Sequence, residues 1–154
     1  MKDSDLSLWR GRIFRYAPLV IWVGVVLFAS TGSASMLETS RFTRPLLHFL
    51  FPGAAEKTLQ IYHIYIRKLA HLTEYALLAL FASRALFYSN KKIFRRFWFV
   101  FAFAFVLLVA SIDETNQSYN VARTGSIRDV LLDAAGGAAM ILIYYSAAKY
   151  RTRR

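Results

Sequence analysis

Residues 97–117 read FWFVFAFAFVLLVASIDETNQ, an apolar run over 97–112 that is followed directly by Asp113 and Glu114. A helix needs about 20 residues, at about 1.5 Å each, to cross the roughly 30 Å of hydrocarbon in a membrane. The run is slightly short on its own, and it reaches spanning length if the helix continues through the two acids. This stretch therefore predicts a membrane-spanning helix over about 97–115 with ionisable residues at one end.

Three other stretches approach the same length, at about 16–34, 69–87 and 127–148. The second of them spans only if the ionisable residues within it are included, and the third carries its acids in its first half. With 154 residues the chain has the size of one domain. The sequence predicts an all-α fold, a single integral membrane bundle over residues 1–154 with four transmembrane helices.

The composition is that of a membrane protein, and it excludes some chemistry. Hydrophobic residues make up 56% of the chain and there is no cysteine, so disulfides, thiolate metal sites and cysteine nucleophiles are excluded.

Between the first two predicted spans, residues 45–51 form an apolar segment that is too short to cross. We expect this segment to lie in the membrane interface or on the bundle, and to end at Pro52 and Gly53.

The Lys and Arg residues lie between the apolar runs, and their distribution predicts the orientation. They concentrate in the N-terminal flank, the loop between the second and third helices and the C-terminal tail, which hold Lys2, Arg10, Arg12, Arg15, Lys91, Lys92, Arg95, Arg96, Lys149, Arg151, Arg153 and Arg154. Because cytoplasmic loops carry an excess of Lys and Arg, both termini are predicted to be cytoplasmic. The net charge of +11 is then explained by membrane topology, and we expect no binding to nucleic acid.

This topology brings the unusual polar residues to one level near the extracytoplasmic face. They come from the second, third and fourth helices and from the loop before the fourth: Lys68, His71, Glu74, Tyr75, Asp113, Glu114, Gln117, Arg123, Asp129 and Asp133. Since a charged residue at the centre of a span costs roughly 2.5–3.5 kcal/mol, we expect these side chains to face one another inside the bundle. The helical spacing of Lys68, His71 and Tyr75 places these three on one face.

Two other features have plainer interpretations. Arg67, Arg84 and Arg128 are interpreted as charges that mark where a helix meets water. The run of small residues over 134–139 in the fourth helix allows a neighbouring helix to approach closely. We expect this run to hold the fourth helix against the second or the third.

At these polar residues the sequence resembles the VanZ-like family of small bacterial membrane proteins. Three segments carry the likeness, which covers about residues 16–148: Lys68-x-x-His71-x-x-Glu74-Tyr75, Asp113-Glu114-x-x-Gln117 and Arg123-x5-Asp129-x3-Asp133-x2-Gly136. One position differs, since this chain has Asp133 where the family usually has Asn. The resemblance implies a multi-pass protein of the bacterial inner or plasma membrane, related to proteins linked to low-level teicoplanin resistance. No biochemical mechanism follows from it.

The main functional hypothesis is a site that binds or processes an amphiphilic cell-envelope molecule, such as a lipid-linked precursor or a phospholipid. Five residues are candidates for catalysis. His71 could act as a base or acid oriented by Glu74. The acids Asp113, Glu114 and Asp129 could position a nucleophile or hold a hard cation such as Mg²⁺ or Ca²⁺.

The other polar residues are candidates for ligand binding. Lys68 and Arg123 could bind a phosphate or a carboxylate, and Tyr75, Gln117 and Asp133 complete this set. No metal ligand set is assigned and the sequence requires no cofactor. The expected partners are the lipid bilayer and this envelope molecule, and the oligomeric state is left open.

Whether the protein is an enzyme also stays open, because the sequence contains no serine nucleophile motif, no HExxH pair and no phosphate-binding glycine loop. The alternative is a non-enzymatic membrane scaffold or regulator whose polar network only holds the helices together. A transporter is the least favoured hypothesis, because the chain is short and shows no inverted repeat.

Overall fold

The computed structural model describes residues 3–30, 36–118 and 127–151, and the regular structure in these segments is entirely α-helical. The helices are α1 (Asp3–Ser30), α2 (Met36–Leu50), α3 (Glu56–Phe87), α4 (Lys92–Arg96), α5 (Trp98–Ser118) and α6 (Ile127–Arg151). The predicted all-α fold is confirmed.

Three of the described helices are long and apolar enough to cross a membrane. These are Gly11–Ser30 in α1, Trp98–Gln117 in α5 and Ile127–Tyr150 in α6. The helix α3 has 32 residues, about 48 Å at 1.5 Å per residue, so its length is more than sufficient. It is less apolar than the other three helices, because polar residues such as His71 and Glu74 lie in its middle.

The helix boundaries extend several of the predicted spans. The helix α5 continues through Asp113 and Glu114 to Ser118, as the predicted span over 97–115 needs in order to reach spanning length. The helix α3 begins at Glu56, before the predicted start of the second span at about residue 69. Two features were not predicted. The helix α2 extends from Leu50 back to Met36, beyond the expected segment 45–51, and the short helix α4 occupies part of the basic loop.

The helix α3 is the centre of the bundle, and α6 forms the most extensive interface with it. Gly136 makes this approach possible, since a Cβ atom there would lie 2.5 Å from the backbone oxygen of Leu72. At Gly137 a Cβ atom would lie 2.7 Å from Val106 of α5. The small-residue run therefore brings α6 against both neighbours, which the sequence offered as alternatives.

One end of the bundle gathers the basic segments. Arg15 of α1 donates a hydrogen bond to the Asn90 side chain at 3.0 Å, and Arg84 donates one to the backbone oxygen of Phe14 at 3.2 Å. These bonds place the start of the apolar part of α1 beside the corner between α3 and α4. The far half of α6 reaches the same end, where Tyr144 packs edge-on to Trp98. The described parts of the predicted cytoplasmic segments therefore lie at one end of the bundle.

The helix α2 packs on the first part of α3, where its Leu47 is buried. Glu56, at the start of α3, accepts a hydrogen bond from Arg44 at 2.7 Å and lies 3.0 Å from the imidazole of His48. The hydrogen bond from Arg44 holds the pKa of this exposed Glu56 below its usual value. A hydrophobic contact and an ion-pair clamp thus fix α2 on the bundle, and α2 forms a wall of the cavity described below.

Candidate functional site

The centre of the site is Asp113, where four helices meet around one buried carboxylate. Asp113 lies on α5, is only 2% exposed, and accepts a hydrogen bond from the Tyr75 hydroxyl of α3 at 2.9 Å. Ser30, at the end of α1, donates to the backbone oxygen of Asp113 at 3.3 Å. Since a buried polar group costs about 1–3 kcal/mol when it lacks a hydrogen bond, these contacts constrain how α1, α3 and α5 pack at this depth.

A second buried carboxylate faces the first from α6. Asp133 is 1% exposed, and its Oδ1 lies 3.6 Å from Nδ1 of His71 on α3. His71, Asp113 and Asp133 each offer a nitrogen or oxygen atom, and these three atoms lie within 4.8 Å of one another. We call these three residues the buried triad. The structure thus brings together side chains from three helices that are distant in sequence, as the sequence predicted for polar residues at this level.

A third contact lies one turn earlier in α3. The ammonium of Lys68 is 3.6 Å from the carboxylate of Asp129, and both side chains are roughly half exposed. Lys68, His71 and Tyr75 follow one another at helical spacing of three and four residues, while Asp129 and Asp133 are four apart on α6. The two helices therefore face each other with Lys68 opposite Asp129 and His71 opposite Asp133. The sequence grouped Asp129 with His71 and Asp113, whereas the structure gives that place to Asp133.

The remaining predicted residues lie around the buried triad. Glu74 is partly buried and its backbone oxygen accepts a hydrogen bond from the Trp22 indole at 3.0 Å, which ties α1 to α3. Gln117 is buried one turn after Asp113, and Glu114 is partly buried beside it. Arg123 lies outside the described residues.

A cavity of about 330 Å³ opens beside the triad, between α1, α2, α3 and α5. His71, Glu74 and Asp113 form part of its wall, and half of the other eight lining residues are apolar. At the side near α2 the wall contains His63 and Arg67 of α3 and Thr43 of α2, and the Thr43 hydroxyl is hydrogen bonded to the His63 ring. The cavity wall thus combines apolar residues with basic and hydroxyl-bearing ones.

Three of these lining residues were missed by the sequence interpretation. Thr43 and His63 were not considered, and Arg67 was interpreted as a charge at the membrane boundary, whereas it lies in the cavity wall. One signal was available for the α3 residues, because His63, Arg67 and His71 recur every four residues and so share a face with the predicted site. No comparable signal existed for Thr43, because its position depends on how α2 folds back onto α3.

Unsatisfied acceptors mark the buried triad as chemically unusual. Within the described part of the chain, Oδ1 of Asp113 and Oδ1 of Asp133 are buried and accept no hydrogen bond. Buried polar atoms in proteins nearly always have partners, and each exception calls for an explanation such as an ion or a catalytic role. This arrangement can bind a cation or hold a shared proton between the carboxylates.

The fold and this cluster define a class: a small helical membrane protein whose helices converge on a buried cluster of ionisable side chains. The sequence matches the family model VanZ/LLP1 over residues 16–148, which includes every helix that contributes to the cluster. The chain therefore belongs to the VanZ/LLP1 family, and the predicted resemblance is confirmed. Comparisons with curated proteins and with solved structures gave no match.

Proposed function

We propose that this protein binds the anionic headgroup of an amphiphilic cell-envelope molecule, a lipid-linked precursor or a phospholipid, in the cavity beside the buried triad. The observation that carries the proposal is the position of Arg67 in the wall of a largely apolar cavity. A guanidinium stays charged in proteins and presents a fork of N–H donors that matches a phosphate. The apolar walls, lined by residues such as Val26 and Ile66, suit the lipid chain of the same molecule.

The proposal includes a membrane arrangement. In it, α1, α3, α5 and α6 cross the bacterial inner membrane as four spans, both termini are cytoplasmic, and α2 lies in the outer interface. The cavity and the buried triad then lie towards the extracytoplasmic side, where envelope lipids carry their headgroups. The clustering of basic segments at the opposite end of the bundle supports this orientation.

Mass spectrometry of lipids that co-purify with the protein tests the proposal. We expect the wild type to retain a specific phosphate-bearing lipid, and Arg67→Gln to lose it, because the substitution removes the charge that would bind the phosphate. Arg123→Ala, in the predicted binding set, is expected to weaken retention as well. Arg41→Gln is the matched control, because Arg41 is an exposed residue of α2 that is not part of the cavity wall.

Equal lipid retention by the wild type, Arg67→Gln and Arg41→Gln would contradict the proposal.

A role in teicoplanin tolerance is a separate question. It is tested by comparing the teicoplanin sensitivity of cells that produce the wild type, cells that produce Arg67→Gln and cells that lack the protein.

A structural role for the cluster is the second candidate function, and specific contacts favour it. The hydrogen bonds at Asp113 link α1, α3 and α5, so the cluster contributes to helix packing whatever it binds. His71→Ala and Asp113→Asn separate the two candidates. Loss of folding together with function identifies a scaffold or regulator held by its polar network, whereas normal thermal stability in detergent with lost lipid binding identifies a ligand site.

A further inference from the structure

The charges of the buried triad do not balance among its own members. Two carboxylates that are 2% and 1% exposed lie against a single imidazole, so even a protonated His71 leaves one negative charge over. The lysine of this region does not compensate it, because Lys68 faces Asp129 one turn away. A buried ionised carboxylate is strongly disfavoured without a compensating charge, so, as far as the described residues show, the triad calls for either a bound cation or a shared proton.

The geometry suits a cation. A tetrahedral ion about 2.1 Å from each ligand separates the ligand atoms by about 3.4 Å, and Nδ1 of His71 is already 3.6 Å from Oδ1 of Asp133. All three donor atoms lie within 4.8 Å, so small side-chain rotations close the set. The unsatisfied Oδ1 atoms of Asp113 and Asp133 supply the lone pairs that an ion needs.

The donor types select the class of ion. Imidazole nitrogen together with carboxylate oxygen suits divalent transition metals such as Zn²⁺ and Mn²⁺, whereas Mg²⁺ and Ca²⁺ favour sites made of oxygen alone. Three protein ligands leave at least one coordination position open. That position faces the cavity, because His71 and Asp113 are also part of the cavity wall.

We propose that His71, Asp113 and Asp133 bind one divalent transition-metal ion, with an open position directed into the cavity. The hydrogen bond from Tyr75 to Oδ2 of Asp113 orients this carboxylate so that Oδ1 is the ligand atom. The site goes beyond the proposed lipid binding and does not depend on it, since its donors are present without Arg67. An oxygen atom of any cavity ligand can complete the coordination sphere.

Metal titration of the purified full-length protein in detergent tests the inference. After removal of metal with a chelator and dialysis, we expect the wild type to bind one Mn²⁺ or Zn²⁺ per chain and to gain thermal stability on binding. Asp133→Asn keeps the shape of the side chain but removes its charge, and we expect at least a 10-fold loss of affinity. Asp129→Asn is the control, because it removes a carboxylate from the same helix one turn away and is expected to change the affinity less than 3-fold.

A second measurement on the wild type alone decides the question if Asp133→Asn does not fold. Pulsed electron paramagnetic resonance of the Mn²⁺-loaded protein is expected to show coupling to an imidazole nitrogen, as His71 coordination requires. A wild type that binds no stoichiometric Mn²⁺ or Zn²⁺, bound Mn²⁺ without nitrogen coupling, or an equal loss of affinity in Asp129→Asn and Asp133→Asn would overturn the inference. Lipid retention is measured separately, so failure of the metal site and failure of the proposed function are distinguishable.

Discussion

At the scale of single residues, the polar side chains inside this bundle are held by specific partners rather than by general burial. Tyr75 is fully buried and donates its hydroxyl proton to Asp113. Oδ1 of the same carboxylate already accepts no hydrogen bond among the described residues. Loss of the Tyr75 hydroxyl would therefore remove a hydrogen bond from a buried carboxylate that is already poorly satisfied. We therefore expect Tyr75 to be more sensitive to a conservative substitution than the exposed aromatic residues.

The first prediction concerns this hydrogen bond. Tyr75→Phe keeps the ring and removes only the hydroxyl, and we expect it to destabilise the protein by about 1–3 kcal/mol, the usual cost of leaving a buried acceptor without its donor. Thermal unfolding in detergent, followed by tryptophan fluorescence, measures the change. Tyr65→Phe is the control, because Tyr65 is exposed on the same helix, and an equal effect in the two variants would contradict the assigned role.

The second prediction concerns the contact between α6 and α3. In Gly136→Ala the new methyl group would meet the backbone oxygen of Leu72 at 2.5 Å, and a backbone atom cannot move aside as a side chain can. We expect a destabilisation of about 1–3 kcal/mol, typical of overpacking. In Gly24→Ala, by contrast, no atom lies within 4 Å of the new methyl group, so unchanged or increased stability is expected. If Gly136→Ala is as stable as Gly24→Ala, the close approach of the two helices is wrong.

At the scale of elements, the helices differ in how firmly the chain holds them. The central helix α3 packs against α1, α2, α5 and α6, whereas α2 contacts α3 and is largely exposed. Its attachment rests on buried Leu47 and on the contacts of Glu56 with Arg44 and His48. Because exposed ion pairs contribute little to stability, α2 is expected to open more easily than the long helices of the bundle.

The third prediction follows from this clamp. Glu56→Gln removes the charge that Arg44 and His48 contact, and we expect hydrogen exchange to accelerate in α2 while the thermal unfolding of the bundle stays nearly unchanged. The pKa of Glu56 is lowered in the folded protein, so the clamp contributes stability above the unfolded pKa of this group and loses it as the pH falls through the folded value. Acidification of the wild type should therefore reproduce the effect of Glu56→Gln, after correction for the intrinsic pH dependence of exchange.

The matched control for the clamp is Lys57→Gln, which changes a neighbouring exposed charge outside the three contacting residues. Exchange in α2 that is unaffected by Glu56→Gln, or accelerated equally by Lys57→Gln, would show that the ion pairs do not hold this helix.

At the scale of the whole molecule, the distribution of charge has one consequence that can be tested in cells. The described parts of the segments rich in Lys and Arg meet at one end of the bundle, and the cavity beside the buried triad opens elsewhere along it. Large apolar side chains such as Val20, Ile21 and Phe28 are exposed on the outside of α1, as expected for a surface that faces lipid rather than water. The molecule therefore has an apolar belt with chemically different ends.

The fourth prediction is the topology. The chain has no cysteine, so Thr58→Cys and Asn90→Cys each introduce a single thiol at positions near opposite ends of α3. We expect an impermeant thiol reagent to label Thr58→Cys in intact cells, and to label Asn90→Cys only after the membrane is permeabilised. Labelling of Asn90→Cys in intact cells would show that the orientation is reversed or that α3 does not cross.

The sequence by itself determined where the long helices lie and which polar residues gather at one level of the bundle. Apolar run length and helical spacing are local properties, so they predicted the cores of α1, α5 and α6, the continuation of α5 through Asp113, and the shared face of Lys68, His71 and Tyr75. The polar residues within necessary spans also predicted a cluster between helices, because isolated charges are costly in a membrane.

Only the tertiary structure decided which acid faces which base and where the cavity lies. His71 meets Asp133 rather than Asp129 because the offset between α3 and α6 is set by the contact of Gly136 with Leu72, which no local pattern encodes. Thr43 reaches His63 only because α2 folds back onto α3. Rotation and offset between helices arise from contacts between residues far apart in the chain. The sequence could therefore indicate which polar residues of α3, α5 and α6 gather at one level, but it could not predict their pairing or the residues that α2 adds to the cavity wall.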